Sequence, residues 1–171
     1  SQRVVDVVRE ALYVFGEALS ATGDAFEMVG FSSVRRHNVR LQHLKAFDET
    51  WDSAARDRVG AIKPGYYTRM GAAMRHAAHY LGARPADKKL MLILTDGMPS
   101  DVDAHDERLL IEDARQAVKE LDQKGIFTYC ISLDPKADEY VSDIFGSSWQ
   151  VLDRIERLPE QLPLLYLSLT R

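Results

Sequence analysis

The sequence is poor in cysteine and lacks any long hydrophobic run. Its 171 residues contain one cysteine, Cys130, which cannot form a disulfide within the chain and suits a reducing compartment, so we expect a cytoplasmic protein. The longest aliphatic run, residues 90–94, falls far short of the roughly 20 residues that span a bilayer, and no signal peptide is visible. Because the chain opens at Ser1 directly on a helical pattern, we expect it to be part of a longer protein.

Excess positive charge and the common enzyme signatures are also missing. With 22 Lys and Arg against 26 Asp and Glu, the net charge of −4 argues against binding to nucleic acid through its phosphates. The chain has no Gly-x-Ser-x-Gly elbow, no Walker phosphate loop, no His-Glu-x-x-His motif and no dinucleotide glycine fingerprint. No nucleophile stands beside an evident base in the sequence, so we expect no catalytic residues.

What is present is an alternation of helical and strand patterns. Apolar residues spaced by three and four predict helices over residues 5–19, 51–58, 68–81, 110–121, 138–145 and 160–169, the last with Pro163 in its first turn. Gly23 and Gly125 are predicted to end two of these helices. Short apolar runs predict strands over residues 25–31, 39–41, 90–96, 126–133 and 149–152. Residues 1–171 are therefore predicted to form a single α/β domain, whose doubly wound, mainly parallel sheet carries helices on both faces and one antiparallel edge strand.

The stretch from Leu90 to Asp96 is the most informative in the chain. If residues 90–94 form a strand buried on both faces, Asp96 emerges at its carboxyl end, where open α/β sheets hold their ligand sites. Thr68 opens a predicted helix, and its hydroxyl together with the carboxylates of residues 96–103 suits a hard cation such as Mg²⁺. A simpler interpretation stays open, in which Thr68 only caps its helix and Asp96 accepts hydrogen bonds from turn amides.

The acidic loop after Asp96 allows two further interpretations. Positions one, three, five and twelve of an EF-hand calcium loop coincide with Asp101, Asp103, His105 and Glu112. However, Asp106 stands where that loop needs glycine, and a strand rather than a helix precedes it, so we do not expect an EF-hand. A magnesium-dependent hydrolase that uses Asp96, Asp101 and Asp103 would need a base, and His105 is the histidine close to them in sequence.

Two other features of the sequence have structural explanations. His76 and His79 share a face of the predicted helix over 68–81 and could bind a metal together, but we expect surface histidines on a helix otherwise packed by Met and Ala. Cys130 lies in the middle of a predicted strand, which indicates a buried structural thiol rather than a nucleophile.

Two segments carry a resemblance to a known family. Thr-Arg-Met-Gly-Ala-Ala-Met-Arg-His-Ala at 68–77 and Leu-Thr-Asp-Gly-Met-Pro-Ser-Asp-Val-Asp at 94–103 resemble von Willebrand factor A domains. More narrowly, the chain is similar to the carboxyl-terminal A domain of the NorD/CbbO group, whose members are implicated in activating nitric oxide reductase or Rubisco. The segments at 23–33 and 143–146 and the ending of the chain agree, so the resemblance spans nearly the whole sequence.

The resemblance implies a divided metal site. Thr68 and Asp96 match the threonine and the aspartate of the second and third loops of the family's metal-ion-dependent adhesion site. The first loop, Asp-x-Ser-x-Ser, should follow a strand upstream of the helix that starts near Val4, and both are absent from the sequence. That strand would be central, between the strands at 25–31 and 90–96. The Mg²⁺ site is therefore predicted to be incomplete, and this chain alone to bind little or no metal.

The resemblance also implies a binding module rather than an enzyme. Proteins of this group are similar to adaptors that couple a hexameric MoxR-type AAA+ ATPase to a client enzyme. An open metal position could accept a carboxylate from the partner, and Arg69, Asp101 and Asp103 at the rim would provide specificity. The ending of the chain and the strand at 126–133 look nearer to the branch that activates Rubisco, and activation or assembly of nitric oxide reductase is the alternative.

Overall fold

The computed structural model describes residues 2–35, 38–62, 69–96 and 104–170. The elements, in chain order, are α1 (Gln2–Thr22), β1 (Met28–Arg35), β2 (Asn38–Lys45), α2 (Ser53–Gly60), α3 (Met70–Gly82), β3 (Lys89–Thr95), α4 (Ala104–Gln123), β4 (Ile126–Ser132), α5 (Asp138–Phe145), β5 (Trp149–Val151), a 3₁₀ turn (Ile155–Arg157) and α6 (Leu158–Thr170). The predicted alternation of helices and strands is confirmed. Among the described helices, none combines the length and the apolarity needed to cross a membrane.

The strands form two sheets. β1 pairs with β2, and because residues 36 and 37 alone join them, the pair is an antiparallel hairpin. β3, β4 and β5 form a parallel sheet in that order, with Leu90 opposite Phe127 and Cys130 opposite Trp149. The predicted combination of parallel strands and an antiparallel strand is thus confirmed. Within the described ranges β1 and β3 belong to different sheets, and the expectation that a central strand lies between them stays a prediction.

The chain folds into two compact units. Unit 1 comprises Ser1–Gly30, Leu41–Gly65 and Arg154–Arg171, and unit 2 comprises Phe31–Arg40 and Tyr66–Asp153. In unit 1, α1 packs against α6, where the ring of Phe15 meets that of Tyr166 edge-on at 5.5 Å between centroids. Elsewhere in unit 1, a core cluster consists of Met28, Leu44, Trp51, Ala55 and Val59.

The core of unit 2 lies between the parallel sheet and helices α3, α4 and α5. Its buried side chains include Met70, Met74, Ile93, Ala117, Leu121, Ile126, Cys130 and Val141. On β3 this core takes Ile93, whereas Leu90, Leu92 and Leu94 on the opposite side of the strand are only half-buried. The expectation of a strand buried on both faces is therefore wrong for the described residues, because the helices of unit 2 cover one side of it.

Two predicted boundaries also differ from the structure. The strand predicted at 25–31 starts at Met28, since Phe26 is used in packing: its carbonyl accepts a hydrogen bond from the buried amine of Lys45 at 2.8 Å, and its ring lies under the same amine at 4.0 Å. The closing helix starts at the fully buried Leu158 rather than at Glu160, which places Pro163 in its second turn. Gly23 and Gly125 end α1 and α4 as predicted, both at φ +78°.

Candidate functional site

Asp96 lies at the carboxyl end of β3, as the sequence predicts. Thr95 before it is buried, and its carbonyl accepts a hydrogen bond from the amide of Leu133 at 2.7 Å, so the pairing of β3 with β4 continues to the last residue of both strands. The Asp96 side chain itself is exposed. An exposed carboxylate at a strand end is open to a cation or to a partner.

The neighbouring strand ends are occupied by their own turns. The buried hydroxyl of Ser132 accepts a hydrogen bond from the amide of Asp134 at 3.2 Å, and Asp134 in turn accepts one from the amide of Lys136 at 3.0 Å. The amide of Leu152 donates to the carbonyl of Ser132 at 3.0 Å. The end of β4 is thus fixed beside Asp96 and the end of β5 beside that of β4, whereas Asp134 is engaged in turn formation.

Of the remaining predicted site residues, only Arg69 can be placed. It is half-buried and is the N-cap residue of α3, where its carbonyl accepts from the amide of Ala73 at 3.1 Å without a capping bond from its side chain. Thr68, Asp101 and Asp103 lie outside the described residues. The interpretation of Thr68 as a helix cap therefore also lies outside the described part, in which α3 begins with Met70.

A junction between α3 and α4 was missed by sequence reasoning. Arg75 of α3 donates from Nε to Glu120 at 2.7 Å and from Nη1 to Asp113 at 3.0 Å, both on α4. Partial burial lowers the pKa of Arg75, but its hydrogen bonds to Glu120 and Asp113 outweigh this and raise that pKa. Gly71, one turn before Arg75, lies directly against Asp113. The four-residue spacing of Gly71 and Arg75 places them on one face of α3, but it does not identify Asp113 and Glu120 as their partners.

The structure also bears on the two other metal sites that the sequence suggested, the calcium loop and the histidine pair. Residues 104–123 form α4, so a calcium loop over 101–112 is excluded, as expected. His76 and His79 are exposed and flank Tyr80, with ring centroids 6.2 Å and 5.5 Å from it. In the described ranges no three His, Cys, Asp or Glu side chains come together as a metal site.

Cys130 is a structural thiol, as predicted. Its side chain is fully buried in the core of unit 2, and burial raises its pKa to about 12. A thiol with such a pKa carries little thiolate at neutral pH, and together with its full burial this favours a structural role over a nucleophilic one.

Comparison with protein families identifies relatives over almost the whole chain. The model of the von Willebrand factor type A domain matches residues 1–150. An uncharacterized protein of Pseudomonas aeruginosa is 47% identical over 99% of the chain, the protein NorD of Stutzerimonas stutzeri is 47% identical over 88%, and the protein NorD of Brucella melitensis is 41% identical over 97%. The chain spans 28%, 24% and 26% of these three relatives, or about a quarter of their length.

A solved structure supports the fold. The von Willebrand factor type A protein from Catenulispora acidiphila superposes with a TM-score of 0.63, covering 94% of this chain and 37% of that one. The two sequences are 17% identical, so this likeness concerns the fold alone.

Proposed function

Since this chain belongs to the von Willebrand factor type A domain family, we propose that it is a protein-binding adaptor module rather than an enzyme. The observation that carries the proposal is the family match over residues 1–150 together with relatives named NorD at 41% and 47% identity. We propose further that the module couples a MoxR-type AAA+ ATPase to a client enzyme, as its resemblance to the NorD/CbbO group implies. Residues 1–171 act as one such module in this proposal.

The client in this proposal is nitric oxide reductase. Sequence reasoning favoured Rubisco, with nitric oxide reductase as the alternative, but the named relatives support the alternative better because two of them carry the name NorD. As the chain spans about a quarter of those relatives, client and ATPase remain proposals for the whole protein.

The proposed contact surface surrounds Asp96. Its exposed carboxylate is a hard oxygen donor that fits Mg²⁺, and Thr68 is proposed as the second ligand. When bound, the metal would supply positive charge for a carboxylate of the partner. Arg69, Asp101 and Asp103 are proposed to contact the partner around it. Asp96 itself has to be held in position, which the pairing of Thr95 with Leu133 accomplishes.

The experiment that tests this proposal is a pull-down with the full-length protein in Mg²⁺ and in EDTA. Immobilised wild type is offered a MoxR-type ATPase, nitric oxide reductase and Rubisco in separate reactions. We expect retention of the ATPase and of nitric oxide reductase, and its loss in Asp96→Ala, in Thr68→Ala and in EDTA. Asp87→Ala is the matched control, because Asp87 is an exposed aspartate just before the opposite end of β3. Wild type that retains none of the three proteins would contradict the adaptor function.

A further inference from the structure

The first turn of α3 lies unusually close to the backbone of α4. A methyl group added at Gly71 would stand 3.0 Å from the carbonyl oxygen of Asp113 and 3.1 Å from its carbonyl carbon, and closer still to Asp113 Oδ2. The side chain of Asp113 can move, but its backbone within α4 cannot. Glycine at position 71 therefore permits a helix contact that any larger residue would push apart.

One turn further on, Arg75 fixes the orientation of α3 against α4. Its guanidinium reaches Glu120 Oε2 at 2.7 Å, Asp113 Oδ1 at 3.0 Å and the carbonyl of Asp113 at 3.4 Å. These two acids are seven residues apart, about two turns or 10 Å along α4. A planar group that bonds at both points restrains the sliding and the rotation of α3 on α4 at once.

This junction contributes to geometry more than to stability. The side chain of Arg75 is 35% exposed, and those of Asp113 and Glu120 are 46% and 39% exposed. Ion pairs that accessible to water contribute little to the free energy of unfolding. The hydrogen bonds still restrain the orientation of α3 on α4, because the orientation depends on where the donors lie and not on how much they add to the free energy of unfolding.

We infer that Arg75 is a positioning residue of the proposed partner-binding site. Arg69 lies at the start of α3, less than two turns before Arg75, and α4 begins at Ala104, immediately after the proposed contact residues Asp101 and Asp103. The junction of Gly71 and Arg75 with Asp113 and Glu120 therefore sets where the start of α3 stands relative to α4. The inference rests on the proposed metal-dependent function and adds to it a residue that fixes how α3 lies on α4.

The test is Mg²⁺ binding to the full-length protein, measured by calorimetry beside thermal unfolding. We expect Arg75→Met to weaken Mg²⁺ affinity about tenfold, the lower end of the effect of residues that orient metal ligands. Its melting temperature should stay within about 3 °C of wild type. Gly71→Ala should weaken affinity too, because it separates the same helices. Arg115→Met is the matched control: this arginine also bridges two helices, from α4 to the carbonyl of Asp143 at 3.0 Å, but on the side of α5.

The Mg²⁺ affinities of these variants distinguish a failure of the positioning role from a failure of the proposed metal-dependent function. Wild-type affinity in both Arg75→Met and Gly71→Ala would overturn the positioning role and leave the metal site intact. Equal weakening in Arg115→Met would also overturn it, since any loss of helix packing would then suffice. Wild type that binds no Mg²⁺ would overturn the proposed function, and the positioning role with it. If Arg75→Met does not fold, Glu120→Met removes the acceptor of the hydrogen bond from Arg75 Nε at a similar side-chain size, and it should weaken Mg²⁺ affinity in the same direction.

Discussion

Replacing Gly16 by alanine should destabilise unit 1 even though alanine is the better helix former. Gly16 lies inside α1 against the indole of Trp51. An added methyl group would stand 2.7 Å from Cη2 of that ring and closer still to Cε2 and Cζ2. The indole cannot easily retreat, because it is 8% exposed and its Nε1 donates to Glu17 at 2.9 Å.

The expected size follows from two opposing effects. Forcing an extra methyl group into a packed site costs about 1–3 kcal/mol, and a rigid ring places this site toward the upper end. Exchanging glycine for alanine within a helix returns about 1 kcal/mol. The net loss of unfolding free energy is then about 2 kcal/mol, or a fall in melting temperature of about 4–8 °C for a chain of this length.

Urea unfolding followed by circular dichroism and tryptophan fluorescence measures this loss. Gly82→Ala is the control, because Gly82 also lies in a helix, α3, but a methyl group there would meet no atom within 4 Å. That variant should be neutral or gain up to about 1 kcal/mol. In a Trp51→Phe background the smaller ring should leave room, so Gly16→Ala should cost clearly less there. Equal stability of Gly16→Ala and wild type, or the same cost in both backgrounds, would refute the reasoning.

Three further predictions concern titratable groups. Partial burial and the hydrogen bond to Asp24 raise the pKa of Tyr166 to about 12 from 10.0. The stability of wild type relative to Tyr166→Phe should therefore hold below pH 10 and decline between pH 10 and 12. A constant difference in stability across this range would contradict the raised pKa. Partial burial raises the pKa of Glu27 above 4.5, which favours the folded state below that pH and disfavours it above. Glu27→Gln should therefore melt higher than wild type at pH 7 and lose this advantage near pH 4, and a lower melting temperature at pH 7 would argue against it. Cys130 should react with a thiol reagent at pH 8 only after denaturation, with one equivalent released per chain, and rapid labelling of the native protein would show that the thiol is accessible.

Local rules predicted the helix ends and the strand that carries Asp96. Gly23 and Gly125 could be identified as helix ends because glycine, unlike other residues, adopts a positive φ without steric strain. Asp96 could be placed because a short apolar run followed by a polar turn is a pattern within nine residues. The family resemblance then added the pairing of Asp96 with Thr68, which spacing alone leaves open.

Contacts between distant segments could not be predicted in this way. Gly16 looks like a weak point in an amphipathic helix until Trp51, 35 positions later, is seen to fill the space above it. Similarly, the sequence around Arg75 indicates no partner for it, and only the packing of α3 on α4 brings it to Asp113 and Glu120. Such approaches depend on the tertiary arrangement, which no period in the sequence encodes.

Unit 1 is built from segments at both ends of the chain, which has a consequence for synthesis on the ribosome. Its packing partners come from opposite ends of the chain: Phe15 of α1 meets Tyr166 of α6, and Tyr166 donates a hydrogen bond at 2.7 Å to Asp24, 142 residues away. Unit 2 contains no residue beyond Asp153. All of its residues are therefore synthesised before α6, and a chain that stops before Leu158 leaves the apolar face of α1 without α6.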